Sequence, residues 1–362
     1  MTKAVKRAYG EKDSLFGSQT STKIAVTATT IEDSYTVIFT NYNGPDRVRY
    51  CYIRPENIDD EMLVWEIFFK SYKGYHDGGL GGHNCPVNLA LWEQDRIWSR
   101  KLKQPDCIVS VGTGSPFIQE ATNTTSSSWF AQLFLPRMFR SYMTFFDCQK
   151  TWIQVLNSTT LNNQAQFHRL NLHFNSTGPH LDNVKSMPAL KEQVLRDSAS
   201  NKTDLIRCAD NILASLFYLE LEDLPVFQQG RFSCKGNILC RLDAGSRALH
   251  SLVVRLNDRQ ARFYLDEQSY VASMNPDAFD RIQAGRAYSI PVEFQVFSIN
   301  EQLDFKVDRL TQRARSISNF PYNITDLVID QGLHLVFGRP DHKRQARPLE
   351  NKSKRRRYNQ SA

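Results

Sequence analysis

The sequence lacks any long apolar run. Its densest, Ile212 to Leu219, is eight residues long and still contains Ser215, far short of the roughly 18 that a bilayer-spanning helix needs. A secretory leader is not read either, because Met1-Thr-Lys-Ala-Val-Lys-Arg7 leads into Ala-Tyr-Gly-Glu-Lys-Asp and not into an apolar stretch. The seven cysteines (51, 85, 107, 148, 208, 234 and 240) include no C-x-x-C pair. Most lie in apolar surroundings, as in Asp106-Cys107-Ile108-Val109, so buried free thiols are expected, not a disulfide framework. His76, His83, His168, His173 and His180 form no H-E-x-x-H, and no His/Cys cluster has zinc-finger spacing. Gly112-Thr-Gly114 lacks the other elements of a P-loop or dinucleotide fingerprint. No metal, nucleotide or other cofactor is expected. The expected location is the cytosol with peripheral membrane contact, where the seven Asn-x-Ser/Thr sites would be inert.

Hydrophobic residues make up 41% of the 362 and charged residues 23%, a globular composition. The length suits two ordinary domains. The net charge of +7 has one address. From Arg339 to Ala362 there are nine basic residues against Asp341 and Glu350, which leaves the other 338 residues neutral. The basic character therefore belongs to a tail and says nothing about the folded body. The tail has almost no large apolar residues, and disorder is expected from Asp341 onward. Its Lys352-Ser-Lys-Arg-Arg-Arg357 run suits nuclear import, anionic lipid or nucleic acid. A plain solvated tail is the simpler reading, and no nucleic-acid partner is expected.

Along the chain, Lys23 to Thr27 and Tyr35 to Thr40 are β-rich runs separated by a polar turn. Val87 to Trp98 reads as a helix opened by Pro86. Asp106 to Val111, closed by Gly112-Thr-Gly114, reads as a strand buried on both faces. Strand, glycine turn and helix in this order predict an α/β sandwich. The pattern breaks at Ser176-Thr-Gly178-Pro179; Met187 to Arg196 reads as an amphipathic surface helix, Asp197 to Thr203 as a loop, and Leu205 to Leu219 as a helix. Beyond Gly230 the strands expected are Asn237 to Leu242, Ser251 to Leu256, Ala261 to Leu265, Tyr288 to Ser298 and Leu333 to Phe337. The second and third of these would form a hairpin across Asn257 to Gln260. The alternation of Val292, Phe294 and Val296 with Glu293, Gln295 and Phe297 predicts one buried face. The expected organisation is an α/β part over 1–185, a helical connector over 186–229, a β-rich, sandwich-like domain over 230–340 and the tail over 341–362.

One constellation carries chemistry. Tyr72 to Tyr75 leads into Asp77-Gly78-Gly79-Leu80-Gly81-Gly82-His83-Asn84-Cys85-Pro86 and then the helix through Trp92. Glycines directly after an Asp allow a sharp turn out of a strand and keep the space beside the carboxylate empty. Alone, Asp-Gly-Gly is an ordinary turn. It is accompanied by Ala25-Val-Thr-Ala-Thr29, Phe39-Thr-Asn-Tyr-Asn-Gly44 and Pro105-Asp-Cys-Ile-Val-Ser-Val-Gly-Thr-Gly114. In this order and spacing the set resembles the patatin-like phospholipase family, in particular the large multidomain patatin-like proteins of filamentous fungi. The resemblance is specific through about residues 20–115. It continues more weakly to about 240, as in Phe217-Tyr218 and Gly236-Asn-Ile-Leu-Cys240-Arg241. It implies a partial three-layer α/β/α sandwich and a lipid acyl hydrolase with a Ser–Asp dyad. Asp77 would be its base, with Gly78, Gly79, Asn84, Pro86, Gly112 and Gly114 as supporting motif positions.

The family's nucleophile sits in a G-x-S-x-G elbow upstream of the Asp, and a glycine-rich loop supplies the oxyanion donors. No G-x-S-x-G occurs anywhere in the 362 residues, and the glycine-rich loop is missing too. Trp65-Glu-Ile67 runs almost directly into Phe68-Phe-Lys70, where the family carries about ten more small residues; His83-Asn84 replaces its paired Asn. A carboxylate base without its nucleophile leaves only background rates, so no acyl-hydrolase activity is expected of this polypeptide. The missing strands would also leave those of Lys23 to Thr27 and Asp106 to Val111 with an open edge or an apolar face. Poor solubility, or a partner chain completing the sheet, is the expected consequence. The aromatic runs Trp129 to Leu135 and Phe139 to Phe146 read as core, with a lip facing a lipid or membrane surface as the alternative.

Overall fold

A computed structural model describes residues 22–42, 51–53, 75–81, 83–98, 105–116, 148–159, 164–174, 183–200, 202–266, 269–273 and 276–334. The fold is mixed α/β. The chain divides into two compact units, the first comprising residues 1–104 and 108–200, the second 105–107 and 201–362. The 65–70 departure, the 129–146 aromatic runs, the 176–179 break, the end of the strand expected at 333–337 and the basic tail lie outside the described residues.

In the first unit, β1 (Ala25–Thr30) and β2 (Thr36–Thr40) form an antiparallel hairpin, with Ala25 opposite Thr40 and Thr29 opposite Thr36. The turn closes when Tyr35 N–H donates to Thr30 Oγ1 at 2.8 Å, with Ser34 at a φ of 57°. β3 (Cys51–Ile53) adds parallel to β2, and β4 (Tyr75–Asp77) adds antiparallel to β1. The order β3-β2-β1-β4 places β1 in the interior. β4 covers that side of β1 only over Ala28–Thr30; the Ala25–Thr27 stretch, within the segment expected to show an open edge, has no strand there among the described residues. Val37, Ile38 and Phe39 of β2 are buried.

After helix α1 (Val87–Ile97) come β5 (Ile108–Val111) and β6 (Ser115–Pro116), then α2 (Cys148–Ser158), β7 (Phe167–Leu170) and β8 (His173–Phe174). β5 pairs in parallel with β7, and β6 with β8. Cys85, Val87, Trp152, Val155 and Phe167 form a small core between these helices and the β5–β7 pair. β5 is not buried on both faces, since Val109 is 40% and Val111 75% exposed. With an alternating period of 2, Ile108 and Ser110 turn towards Cys85, and Val109 and Val111 leave an exposed apolar face on the other side. Helix α3 (Met187–Ser200) is a surface helix with Met187 and Leu195 in solvent. The loop expected at Asp197 to Thr203 is instead mostly helix. Its polar residues include no Gly or Pro, and polarity alone does not stop a solvent-facing helix.

The second unit begins with α4 (Lys202–Ala214), which ends before the residue-219 limit expected for it. Phe217, Leu219 and Leu221 are buried at alternating positions, and the segment Phe217–Leu221 is strand β9. β10 (Val226–Gln228) turns back into β11 (Arg231–Cys240). The turn residues Gln229 and Gly230 both have positive φ, 52° and 80°, as a two-residue hairpin with right-handed strand twist requires. The ten-residue β11 is flanked on one side by β9 and β10 in succession and on the other by β14 (Ser289–Val296). Gly236 is obligatory here, as a Cβ would come within 2.5 Å of the Glu220 carbonyl oxygen.

Helix α5 (Arg247–Asp258) overturns the strand expected at Ser251 to Leu256 and its hairpin. Leu249, Leu252, Val253 and Leu256 are all buried, the i, i+3, i+4, i+7 spacing of a helix. Ser246 caps it by accepting the Leu249 N–H at 3.1 Å. Asn257 to Gln260 is the helix end, where Ala261 N–H returns to the Leu256 carbonyl at 2.9 Å. β12 (Arg262–Leu265), β13 (Ser269–Ser273), α6 (Pro276–Gln283), β14, β15 (Phe305–Asp308), β16 (Arg315–Ser316) and α7 (Ile324–Asp330) follow. The second sheet, in order β13-β12-β15-β16, is antiparallel throughout. Val292, Phe294 and Val296 of β14 are buried as expected. A single core joins both sheets to α5, with Phe217 against Phe263 at 5.4 Å and Phe294 against Phe305 at 5.0 Å between ring centroids. Two sheets with helices on a shared core make this region mixed α/β, where a β-rich, sandwich-like domain was expected.

Residues 105–107 are anchored within this unit. Ser318, buried, donates its hydroxyl to Asp106 Oδ2 at 2.6 Å, and the Asn319 N–H donates to Oδ1 at 2.9 Å. Arg241 Nη2 donates to Ser318 Oγ at 2.5 Å and lies 3.6 Å from Oδ2. The next residue, Cys107, shares a thiol hydrogen bond with Cys208 of α4. Burial, then the neighbouring Cys208 and Asp106, push its pKa up to about 11. Cys85, Cys107, Cys148, Cys208, Cys234 and Cys240 are free thiols.

Candidate functional site around Asp77

Asp77 is the last residue of β4, its Cα opposite Ala28 in β1. The chain leaves the strand through a 3-10 turn over Gly78–Gly81. Gly78 is buried, and a Cβ there would lie 2.6 Å from the Thr27 carbonyl oxygen. Only glycine lets the turn pack this closely on β1. The loop closes when His83 N–H donates to the Gly78 carbonyl at 3.1 Å, and His83 Nε2 lies 2.7 Å from Thr36 Oγ1 on β2. Burial pushes the His83 imidazole pKa down, favouring the neutral ring. The sheet, the glycine turn and the His83–Thr36 contact thus fix the exit of the Asp77 strand from three sides.

The remaining motif positions have structural placements. Asn84 is exposed. Pro86, also exposed, stands at the N-cap of α1, one position earlier than the first-turn site expected of it; no side chain caps that helix end. Gly112 continues the β5–β7 ladder by donating its N–H to the Leu170 carbonyl at 2.8 Å, and a Cβ on it would collide with the Asn171 side chain. Gly114 adopts a φ of 100° and donates its N–H to Asn171 Oδ1 at 2.9 Å. Both glycines therefore serve the backbone path after β5.

The structure adds a polar cluster that sequence reading passed over. Arg169 Nη1 donates to Ser110 Oγ at 2.6 Å and lies 3.9 Å from the Sγ of buried Cys85, just ahead of α1. The signal was present in the alternation of Phe167-His-Arg-Leu170, which puts Arg169 on the core side with Phe167. The β5–β7 register, which sets Arg169 beside Ser110, is non-local and could not be read from that segment.

Chemically, a carboxylate at the end of a strand beside a glycine turn can serve as a general base once a hydroxyl or thiol is delivered to it. Among the described residues no group of three or more His, Cys, Asp and Glu could hold a metal ion, and no helix is long and apolar enough to cross a membrane. No family model matches the chain, and no curated protein matches it in sequence.

Proposed function

We propose that the chain is a patatin-like lipid acyl hydrolase domain protein in which Asp77 is the base of a Ser–Asp dyad whose serine this sequence does not carry. The observation that carries the reading is the Asp77-Gly78-Gly79 exit from β4, with Gly78 pressed against Thr27 of β1. What supports the reading is an Asp that ends a strand and runs directly into a glycine turn, as the Asp-Gly-Gly resemblance implies for the base; the Cβ position of Gly78 itself is filled by Thr27. On this reading the first unit is part of a three-layer α/β/α sandwich, and the exposed Val109 and Val111 face of β5 is where further strands or a partner chain would pack. The reaction of the completed unit is ester hydrolysis of a phospholipid or acylglycerol through an acyl-serine. The 362-residue polypeptide alone is inactive, because a base has nothing to activate.

The test supplies the missing half in trans. The purified chain is mixed with a separately expressed segment carrying a glycine-rich loop and G-x-S-x-G elbow of the family, and fatty-acid release is measured. Neither chain alone should release fatty acid; the mixture should, and Asp77→Asn should abolish it. Release by the 362-residue chain alone, or release by the mixture that survives Asp77→Asn, would overturn the reading.

A further inference from the structure

The fastening of residues 105–107 within the second unit brings two cysteines together. The Asp106 carboxylate holds Ser318 Oγ and the Asn319 N–H, and Ser318 N–H donates in turn to the Phe217 carbonyl at 2.8 Å, just beyond the end of α4. α4 is fixed as well, since its buried Asp210 accepts the Gln312 N–H at 3.1 Å. Cys107 is thereby held against α4, where Cys208 is buried. Cys107 is half-buried and the more accessible of the two. In their shared hydrogen bond Cys107 is the donor. Burial raises both pKa values, and the contact raises that of Cys107 further while drawing that of Cys208 down.

Two sulfurs in hydrogen-bond contact, each on an anchored backbone, need only side-chain rotation to reach the bonding distance of about 2 Å. We infer that Cys107 and Cys208 are a reversible redox pair whose disulfide fastens residues 105–107 to α4 covalently. The oxidant is a small-molecule disulfide of the glutathione class. Cys107 loses its proton and attacks one sulfur of oxidised glutathione, and the departing glutathione thiolate takes up a proton. The Cys208 sulfur then attacks Cys107 and expels the second glutathione, which leaves with the Cys208 proton. Two thiols give up two electrons and two protons, and one disulfide is reduced to two thiols. With its pKa pushed up to about 11, Cys107 holds little thiolate near neutrality. The pair therefore reacts slowly and follows the thiol–disulfide poise of its surroundings, not a burst of peroxide. The bond encloses residues 108–207 in a covalent loop, and long loops are those in which a cross-link restricts the unfolded chain most. Oxidation thus backs up the Asp106 anchor. The inference does not rest on Asp77 or on the acyl-hydrolase reading.

The test is equilibration of the full chain, without denaturant, with mixtures of oxidised and reduced glutathione. Acid quench, alkylation of the remaining thiols and mass spectrometry of the unreduced peptides follow. The expected product is a link between the Cys107 and Cys208 peptides of one chain that dithiothreitol reverses. Cys208→Ala should stop the sequence at the mixed disulfide, with glutathione on Cys107, whereas Cys107→Ala should leave buried Cys208 unmodified. In urea, where the Asp106 anchor and α4 are lost, the preference for this pair should vanish. Hydrogen exchange gives a second readout. Asp106→Ala should speed exchange in α4 of the reduced chain, and oxidation should slow it again by at least about tenfold. Full alkylation of both thiols at every glutathione ratio overturns the inference. So does a link from Cys107 to another cysteine or to a second chain, or a link that forms as selectively in urea. Exchange in α4 that oxidation leaves unchanged overturns the fastening role.

Discussion

Asp106 holds residues 105–107 in the second unit, and the structure says which of its interactions should matter. Its carboxylate accepts two hydrogen bonds, from Ser318 Oγ at 2.6 Å and Asn319 N–H at 2.9 Å, and faces Arg241 at 3.6 Å. The Arg241 side chain is 52% exposed and that of Asp106 27%, so the ion pair itself should be worth at most about 1 kcal/mol. The hydrogen bonds are a different matter. Ser318 is only 1% exposed, and bonds to a charged acceptor contribute about 1.5–3 kcal/mol each when a buried donor would otherwise be left unpaired. Asp106→Ala should therefore destabilise the second unit by about 2–4 kcal/mol. Arg241→Met, which removes the charge and the bond to Ser318, should cost about 1 kcal/mol. A double-mutant cycle between Asp106→Ala and Ser318→Ala should show a coupling of about 1–2 kcal/mol. All five tryptophans lie between residues 65 and 152, so tryptophan emission does not report this unit. The assay is urea-dependent hydrogen exchange read on peptides from β9 and from residues 317–320. An Asp106→Ala variant within about 0.5 kcal/mol of the parent, or less harmful than Arg241→Met, would refute the reasoning.

Three further substitutions probe the same unit. Gly236→Val should destabilise it by about 2–4 kcal/mol in a urea titration, since even a Cβ meets the Glu220 carbonyl oxygen at 2.5 Å; an unchanged midpoint would mean that β9 and β11 are not paired in this register. Tyr288 is fully buried, and no hydrogen-bond partner for its hydroxyl is present among the described residues. Tyr288→Phe should then be neutral or stabilising by about 1 kcal/mol, and a loss of more than about 1 kcal/mol would reveal a partner for the hydroxyl. Burial pushes the Cys234 thiol pKa from 9.0 up to about 11. The folded state thus favours the protonated thiol, so this contribution is complete below about pH 9 and is lost as pH rises towards about 11, a total of about 2–3 kcal/mol. In Cys234→Ala that part of the alkaline destabilisation should disappear; parallel pH profiles for parent and variant would contradict it.

The elements that sequence reading located share one property, which is that local chemistry alone specifies them. Pro86 ahead of an apolar stripe marked the start of α1, the polar turn read at Thr29–Ser34 separated β1 from β2, and strict alternation over Val292, Phe294 and Val296 marked the buried face of β14. The failures also share a cause. Ser251-Leu-Val-Val-Arg-Leu256 is rich in β-branched and apolar residues, so a short window admits either period. What decides it is Ser246 five residues upstream, and Leu249 completing the helical stripe. The error came from reading the apolar run without its cap. At Phe217 the opposite happened: an apolar helix stripe was carried on into residues whose burial, at 217, 219 and 221, has period 2.

The candidate site was legible only as far as residues next to each other in sequence. Asp77, Gly78 and Gly79 announce a strand end and a turn, and the close approach of Gly78 to Thr27 supplies the physical reason for the first glycine. Thr36 beside His83, Ser110 beside Arg169 and Asp106 beside Ser318 are separated by 47, 59 and 212 residues. No periodicity predicts such pairs, because register is set by the whole sheet. Asp106 shows what this means for function. In sequence it opens a run that continues into β5 of the first unit, and it reads as part of that strand. In the structure its carboxylate is spent on Ser318 and Asn319 of the second unit, and a group with both oxygens engaged in this way is a tether, not a free acid or base. Asp77 instead ends β4 at a turn whose first glycine is pressed against Thr27 of β1.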